Sequence, residues 1–341
     1  MIAPYPRANP LLIGHESAEA TLADAMRSGR MHHAWLITGP PGIGKATLAF
    51  RFARRLLAGT TPSNSLELEE THPVFRRVAA GGHADLLTIE REWDPKRRRL
   101  RGEIVVDDVR RIADFLHLTP AEGGWRVVIV DGAEELNRNA ANGLLKVLEE
   151  PPERTVLLLV CAAPGRLPAT IRSRCRRLAL TPLADADLAR LLSILVPDLS
   201  ADTRARLVGM AEGSPGRALQ FAESGGVGTA DLVASVLDAL PKLGSRQAIE
   251  RGHAVADSLG RDEDAFSTFM DLLRASVATA VRDTARGHAG PEQTRLIGNR
   301  PLDAWVEVWH ALTKLQNETE AAYLDRRQAI VTSLTTLVGA H

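Results

Sequence analysis

Apolar residues in the first half of the chain fall either at helical spacing or in short unbroken runs. The runs predict strands at residues 34–37, 85–90, 103–106, 127–130 and 156–160, and the helical patterns predict helices at residues 15–29 and 45–57, from Asp107 onward, and from Asn139 to Glu150. Residues 58–83 are polar and weakly patterned, which predicts an insertion or a long loop. Strands that are apolar throughout and alternate with helices indicate an α/β fold, with a parallel sheet covered on both faces.

The pattern changes after Pro182, where runs of the strand type stop. Residues 185–223 show short helical patterns, and Gly225, Gly226 and Gly228 predict a linker before continuous helical periodicity. We therefore predict three parts, which are residues 1–180 as the sheet domain, residues 181–226 as a small helical lid and residues 227–341 as an all-helical domain.

The composition of the chain argues against several classes of protein. Lys plus Arg and Asp plus Glu both number 42, so the formal net charge is zero, which argues against a strongly basic nucleic-acid binder. The two cysteines, Cys161 and Cys175, cannot supply a four-thiolate site, so we expect no structural zinc. The chain shows no apolar signal core and no stretch near the ~20 apolar residues that cross a bilayer, so we expect a cytoplasmic protein without membrane contact.

One segment has the spacing of a phosphate-binding loop. The residues from Gly39 to Lys45, GPPGIGK, fit G-x-x-x-x-G-K and lie between a predicted strand and a predicted helix, which argues against a chance glycine turn. Glycines let backbone N–H groups turn inward around phosphates, and the lysine would reach the outer phosphates. The sequence therefore assigns Gly39, Gly42, Gly44 and Lys45 to a site for ATP or ADP.

The residue after Lys45 departs from this motif. A Ser or Thr hydroxyl there holds the magnesium ion, but this chain has Ala46. Thr47 follows, and one helical step rotates its side chain by ~100°, so it cannot simply replace the missing ligand. We assign Thr47 a contact with an inner phosphate and expect any nucleotide to bind weakly, with its magnesium poorly held.

Acidic residues normally complete such a site at the end of a neighbouring strand. The predicted strand at residues 127–130 ends at Asp131, which is placed to finish the magnesium site. In AAA+ ATPases a glutamate commonly follows that aspartate and orients the attacking water, but Gly132 holds this position here. Glu134 lies beyond the strand end, and we interpret it as a solvated loop residue rather than a catalytic base.

Four further segments resemble the bacterial clamp-loader subunits of DNA polymerase III, which are AAA+ proteins. These segments are Arg30–Leu36 (RMHHAWL), Asn142–Pro152 (NGLLKVLEEPP), Ile171–Cys175 (IRSRC) and Gly213–Ala218 (GSPGRA). LLKVLEEPP and SRC, ~20 residues apart after a strand that ends in Asp, are far more specific than a phosphate loop alone. The likeness covers about residues 10–220 and is weak in the last third of the chain, where Tyr323–Gln328 carry it.

The resemblance implies an AAA+ nucleotide-fold domain, a helical lid and a domain that joins the collar of a pentameric ring. Such a ring, which contains gamma or tau motor subunits and a delta subunit, opens the sliding clamp and places it on primer-template DNA. By the same resemblance, Arg174 of the SRC segment is an arginine finger that reaches the ATP site of a neighbouring subunit. Its planar set of donors suits the stabilisation of charge on the γ-phosphate.

The chain departs from the motor type of subunit at four places. These are Ala46, Gly132, the strand end Cys161–Ala163, which offers no polar sensor, and Gly216, which stands where a lid arginine is expected while Arg217 follows one step late. An arginine finger beside a degraded ATP site resembles the delta-prime type, for which we expect negligible hydrolysis by the isolated chain. The alternatives are an active gamma/tau-like ATPase, which would show turnover, and a nucleotide sensor, which would bind without turnover.

Other features have simpler structural explanations than functional ones. His32 and His33 lack flanking metal ligands, and we interpret them as structural. The basic stretch Lys96–Arg101 has no interleaved aromatic residues, so it predicts a solvated hairpin tip rather than a DNA contact. Trp305 and Trp309 lie at helical spacing, and we expect both in a core.

Overall fold

The chain divides into two compact units, Met1–Ala218 and Leu219–His341. A computed structural model describes residues 5–59, 65–94, 99–122, 124–260, 263–322 and 324–339. Within these ranges the first unit holds the strands, and the second is helical.

The first unit alternates strands and helices along the chain. Its strands are β1 (Ala34–Thr38), β2 (Leu86–Ile89), β3 (Trp93–Asp94), β4 (Arg99–Leu100), β5 (Arg126–Asp131), β6 (Thr155–Cys161) and β7 (Arg176–Ala179). Its helices are α1 (Glu16–Arg27), α2 (Lys45–Leu57), α3 (Pro73–Ala79), α4 (Val106–His117), α5 (Arg138–Glu149), α6 (Ala169–Arg172), α7 (Asp185–Leu195) and α8 (Ala201–Ala211), and α9 (Pro215–Glu223) begins in it.

Five parallel strands form the central sheet in the order β2-β5-β6-β1-β7, and β3 pairs with β4 in a separate antiparallel hairpin. Successive residues of a strand point to opposite faces, so strands that are apolar throughout serve two cores. Val127 and Leu158 lie in the core with α1 and α2, whereas Val128 and Leu157 lie in the core with α4 and α5. The predicted α/β fold, with a parallel sheet covered on both faces, is confirmed.

Two local predictions before α4 are wrong. Residues 103–106 form no strand, because Ile104 makes only an isolated bridge to Leu136 and α4 begins two residues later. Residues 58–83 are more than a loop, since they contain α3, in which Pro73 occupies the first turn and the His72 ring accepts a hydrogen bond from the Val74 N–H. Residues 60–64 of this segment lie outside the described residues.

Strand β7 was not predicted from the sequence. Of its four residues only Leu178 is buried, so the apolar run that indicates a central strand is missing. β7 pairs with β1 alone in the central sheet, and edge strands tolerate such exposed side chains. The Arg176 guanidinium lies 4.8 Å from the centre of the Trp35 ring, which adds a cation–π contact to this edge.

The second unit consists of helices within the described residues, as predicted. They are α10 (Gly226–Ala239), α11 (Ser245–Leu259), α12 (Glu263–Ala285), α13 (Pro291–Ile297), α14 (Leu302–Ala322) and α15 (Arg326–Val338). Helices α11 and α15 approach closely at Gly252, where a Cβ would lie 2.8 Å from the Cα of Val331. Trp305 is buried and its indole N–H donates to the Ile297 carbonyl at 3.3 Å, whereas Trp309 is half-buried.

The predicted glycine linker is wrong. Gly225 has a left-handed φ of 66° and caps α10, and Gly226 and Gly228 lie inside that helix. A Cβ on Gly226 would lie 2.7 Å from the Cβ of Phe221, so the glycine permits a tight turn between two helices.

Candidate functional site

The segment Gly39–Lys45 forms a tight loop between β1 and α2. Gly39, Gly42 and Gly44 have φ values of 149°, 74° and 100°, which other residues rarely adopt. A Cβ on Gly39 would also lie 2.6 Å from the carbonyl oxygen of Leu180. Gly44 caps α2, so the positive end of that helix lies directly behind the loop.

The hydrogen bonds around the loop separate its acceptors from its donors. Every carbonyl from Gly39 to Gly44 accepts a hydrogen bond from the protein. The Lys45 ammonium donates to the carbonyls of Gly39 (2.8 Å) and Pro40 (2.6 Å). The other four carbonyls bond to the Ser214 hydroxyl (Pro41, 3.0 Å), the Gly216 N–H (Gly42, 2.8 Å), the His15 ring (Ile43, 2.6 Å) and the Leu48 N–H (Gly44, 2.9 Å). Among the described residues, the N–H groups of Gly42, Ile43 and Gly44 have no acceptor. Free N–H groups at a helix N-terminus are suited to bind an anion such as phosphate.

Lys45 is folded back onto the carbonyls of its own loop. The side chain is buried, and this burial lowers the pKa of its ammonium group, while the negative charges of Glu134 and Asp131 act in the opposite direction. Phosphate oxygens are stronger acceptors than carbonyls for a charged donor. Lys45 is therefore placed to exchange the carbonyls of Gly39 and Pro40 for phosphate oxygens.

The groups expected to hold magnesium are incomplete in the structure. Ala46 carries only a methyl group, and Thr47 is buried on α2. Asp131 ends β5 as predicted, and burial, followed by the charge of Glu90, raises the pKa of its carboxyl group. Gly132 has a φ of 78°, so the residue in the place of the water-orienting glutamate makes a left-handed turn.

Glu134 does not point into solvent, so its interpretation as a solvated loop residue is wrong. It follows Gly132 in a short 3₁₀ turn, and its Oε1 accepts a hydrogen bond of 2.9 Å from the Ala162 N–H beyond the end of β6. Its Oε2 is buried and meets no N–H or O–H donor in the described part of the chain, although the Cys161 thiol interacts with this carboxylate. Burial, and then the charge of Glu134, raise the pKa of the Cys161 thiol to about 12.

The lid segment Gly213–Ala218 packs directly on the loop. A Cβ on Gly216 would lie 2.8 Å from the Cα of Gly42, and the two residues also share a main-chain hydrogen bond. No side chain fits on Gly216 while this contact exists, which is the physical reason why a lid arginine does not stand there. Arg217, one step later, pairs with Glu212 at 2.9 Å.

Arg174 lies in the turn between α6 and β7. Its Nη1 donates to the Thr170 carbonyl at 3.0 Å, and its Nη2 lies 2.8 Å from Oε1 of Glu149. Because Glu149 is the last residue of α5, the LLKVLEEPP and SRC segments meet through this ion pair. The side chains of Arg174 and Glu149 are 36% and 49% exposed, so the pair lies at the surface and holds the arginine weakly.

The neighbouring arginines have other surroundings. Arg172 is exposed at the end of α6, Arg176 covers the Trp35 ring, and Arg177 lies 3.4 Å from the Thr38 hydroxyl. Arg172 is therefore a suitable control for the charge of Arg174, since it lies nearby without the ion pair to α5.

The described ranges contain neither a metal-binding cluster nor a membrane-spanning helix. No three His, Cys, Asp or Glu side chains in the described residues lie close enough together to hold a metal ion. The His32 ring bonds to the Ala34 backbone and stacks on His33, with ring centres 4.5 Å apart. None of the helices that the structure describes is long and apolar enough to span a bilayer.

The predicted basic hairpin tip is only partly described. Residues 95–98, which include Lys96 and two of the arginines, lie outside the described residues. The flanking strands pair Trp93 with Leu100, and these side chains are 59% and 49% exposed. An exposed aromatic residue, Trp93, is therefore paired with Leu100 near the C-terminal end of the basic stretch.

Comparison with known proteins identifies relatives. The family model described as DNA polymerase III, delta subunit matches residues 14–184. DNA polymerase III subunit delta' of Pseudomonas aeruginosa is 37% identical over 215 residues, which cover 63% of this chain and 62% of that protein. DNA polymerase III subunit delta' of Escherichia coli is 35% identical over 198 residues, covering 58% and 57%, and subunit tau of the same organism is 34% identical over 176 residues, covering 50% and 25%.

These matches leave part of each relative uncovered, since the chain spans less than two thirds of their length. Among solved structures, a gamma subunit-related protein of Thermotoga maritima has a TM-score of 0.47 at 19% identity and covers 95% of this chain and 99% of that one.

The strand order and the loop between β1 and α2 define an α/β protein of the AAA+ class. The chain belongs to the DNA polymerase III, delta subunit family. The resemblance to delta-prime subunits that the sequence predicted is confirmed by the two delta' relatives.

Proposed function

We propose that this chain is a clamp-loader subunit of the delta-prime type, which works in the cytoplasm with gamma or tau motor subunits and a delta subunit. The hetero-pentamer opens a sliding clamp and places it on primer-template DNA. In this proposal residues 1–180 and the lid at residues 181–226 stand beside a motor subunit, and residues 227–341 join the collar. Arg174 acts in trans at the ATP site of the neighbouring motor subunit.

The observation that supports this proposal most directly is an accessible guanidinium in a chain whose own site lacks hydrolytic groups. Ala46 offers no magnesium ligand, Gly132 replaces the water-orienting carboxylate and Gly216 excludes a lid arginine. Arg174 is exposed enough to meet another subunit. Because the chain belongs to the DNA polymerase III, delta subunit family, we infer that the neighbour that Arg174 meets is another clamp-loader subunit.

The chemistry follows from the charge that develops during phosphoryl transfer. As the bond to the γ-phosphate breaks, negative charge spreads over its oxygens, and catalysis depends on positioning and charge stabilisation. A guanidinium carries a fixed charge and several donors in one plane, so Arg174 can contact two oxygens at once. Arginine fingers contribute roughly 10³–10⁵ in rate in GTPases, and a ring with several sites is expected to show less.

The test uses rings reconstituted with motor and delta subunits. Arg174→Ala should lower DNA-stimulated ATP hydrolysis about tenfold or more and slow clamp loading, and Arg174→Lys should not restore the rate, because an ammonium lacks the planar donors. Arg172→Ala is the matched control and should have a smaller effect. Ring assembly is measured by size-exclusion chromatography, and normal loading by Arg174→Ala rings, or a defect explained only by failed assembly, would contradict the proposal.

An active ATPase remains the competing function, and the identity to the tau subunit supports it. We propose instead that the isolated chain hydrolyses ATP negligibly, because the magnesium hydroxyl and the water-orienting carboxylate are both replaced. Steady-state hydrolysis by the purified chain decides between the two. Magnesium-dependent turnover that Lys45→Ala abolishes would establish the motor function.

A further inference from the structure

Glu134 carries a buried carboxylate oxygen that the proposed function does not use. Its Oε1 accepts a hydrogen bond from the Ala162 N–H at 2.9 Å, while Oε2 meets no N–H or O–H donor among the residues described, and the Cys161 thiol is the one weak donor that interacts with this carboxylate there. A buried acceptor without a partner is unfavourable, and native structures retain few of them. A thiol satisfies a carboxylate only weakly, so the position of this oxygen calls for a functional explanation.

The carboxylate lies at the edge of the sheet where the loop begins. β5, β6 and β1 are neighbours in the sheet and parallel, so their carboxyl ends share one edge. The bond from Glu134 to Ala162 crosses from the end of β5 to the end of β6, the strand next to β1. The negative charge of Glu134 raises the pKa of Lys45 more than the charge of Asp131 does, which agrees with this placement of Glu134.

The loop favours a bound anion, whereas the acidic side chains at the sheet edge disfavour one. The free N–H groups of the loop and the ammonium of Lys45 favour phosphate, whereas Glu134 and Asp131 repel it. In phosphate-loop enzymes the outermost phosphate faces the groups that orient water and sense charge at this edge. Here the end of β6, which offers no polar sensor, is covered by the carboxylate of Glu134 through the Ala162 N–H, and Ala46 supplies no hydroxyl to hold a magnesium ion that would offset the repulsion.

We infer that Glu134 excludes a third phosphate, so that the loop takes a nucleoside diphosphate in preference to a triphosphate. The inference rests on the nucleotide-binding part of the proposed function and is independent of the action of Arg174 in trans. Glu134 lies in the short 3₁₀ turn that begins directly after the left-handed Gly132.

The experiment measures the affinity of the full-length chain for ADP and for ATP by titration calorimetry, with magnesium and with a chelator. The unsubstituted chain should bind ADP at least about tenfold more tightly than ATP, since a like charge at a partly buried site changes affinity by an order of magnitude or more. Glu134→Gln keeps the shape and the acceptor for Ala162 but removes the charge. It should bring the two affinities to within about threefold, mainly by strengthening the binding of ATP.

Glu135→Gln is the matched control, because Glu135 is the next acid along the chain and faces Arg166 at 3.6 Å. It should leave the preference for ADP unchanged, and Lys45→Ala should weaken both nucleotides. ATP binding that appears only in Glu134→Gln supports the inference. Equal affinities in the unsubstituted chain, a preference that survives Glu134→Gln, or no nucleotide binding by either chain overturns it, whereas the Arg174 assays in the ring decide the role in trans separately.

Discussion

The loop Gly39–Lys45 (the glycine loop) and the turn that carries Arg174 (the arginine turn) lie in the same unit, but they differ in how firmly their surroundings fix them. Around the loop, every carbonyl from Gly39 to Gly44 is bonded, and the donors His15 and Ser214 are buried. Around Arg174, the partners are one carbonyl and one half-exposed carboxylate. The loop is thus fixed by the protein itself, whereas the arginine is free to change its partner.

Typical magnitudes show how far the two regions differ. A buried hydrogen bond contributes about 0.5–1.5 kcal/mol net, and leaving its partner unsatisfied costs about 1–3 kcal/mol. An exposed ion pair contributes only about 0–1 kcal/mol. Displacing the lid from the loop therefore costs several times more free energy than releasing Arg174 from Glu149, and substitutions around the loop should have the larger effects.

The largest effect is expected at the closest contact between lid and loop. Gly216→Ala places a methyl group only 2.8 Å from the Cα of Gly42, closer than real Cβ contacts allow, so either the lid or the loop must move. We expect the free energy of unfolding to fall by about 2 kcal/mol, the range of overpacked sites. Urea denaturation followed by circular dichroism measures this.

Gly209→Ala is the control for the same substitution in α8. No atom lies within 4 Å of the Cβ it would introduce, so it should stabilise the chain by up to about 1 kcal/mol, as alanine does in helices. Equal effects of the two substitutions would show that the lid and the loop are not held together as described.

An intermediate effect, dependent on pH, is expected at Asp131. Burial raises the pKa of its carboxyl group in the folded chain, so above that pKa the ionised form disfavours folding. Asp131→Asn should therefore raise the free energy of unfolding at neutral pH. The gain should shrink as the pH falls through the raised pKa and should vanish below about pH 3, where the carboxyl is protonated in both states.

Urea unfolding at both pH values checks this prediction. Asp198→Asn, at an exposed acid, is the control and should change stability little at either pH. A gain for Asp131→Asn that persists undiminished in acid would mean that its origin is not the charge.

The smallest effect is expected at the arginine turn. Glu149→Gln removes the charge that faces Arg174 but retains an acceptor, and it should change the free energy of unfolding by less than about 0.5 kcal/mol. Glu150→Gln, at the next exposed acid, is the control and should change the free energy of unfolding by a similarly small amount. A loss above about 1.5 kcal/mol for Glu149→Gln alone would show that the arginine is held as firmly as the loop, and the contrast between the two regions would disappear.

The central fold and the loop could be predicted because their signals are local. Strands such as β5 and β6 are buried on both faces and are therefore apolar throughout. The glycines of the loop adopt left-handed conformations, so their spacing is visible in the sequence. The edge strand β7 gave no such signal, because only Leu178 needs to be apolar there.

The site could not be predicted completely because its remaining contacts join distant parts of the chain. Glu134 reaches Ala162, and Ser214 reaches Pro41, across separations that no pattern of hydrophobic spacing records. The inward direction of Glu134 depends on the φ of Gly132, a glycine that reads in sequence only as the replacement of a glutamate. A glycine directly after a strand and before an acidic pair is the one local hint that a turn redirects those acids.

The close approach of Gly42 to Gly216 also limits which substitutions the chain accepts at these two positions. A side chain at either position would meet atoms of the other segment, whichever residue stands at the other position. An arginine restored at residue 216 meets the backbone of the loop, and a larger residue at 42 meets the hydroxyl of Ser214. An arginine at residue 216 therefore requires the loop or the lid to be displaced, so this chain tolerates that substitution only with a rearrangement of the two segments.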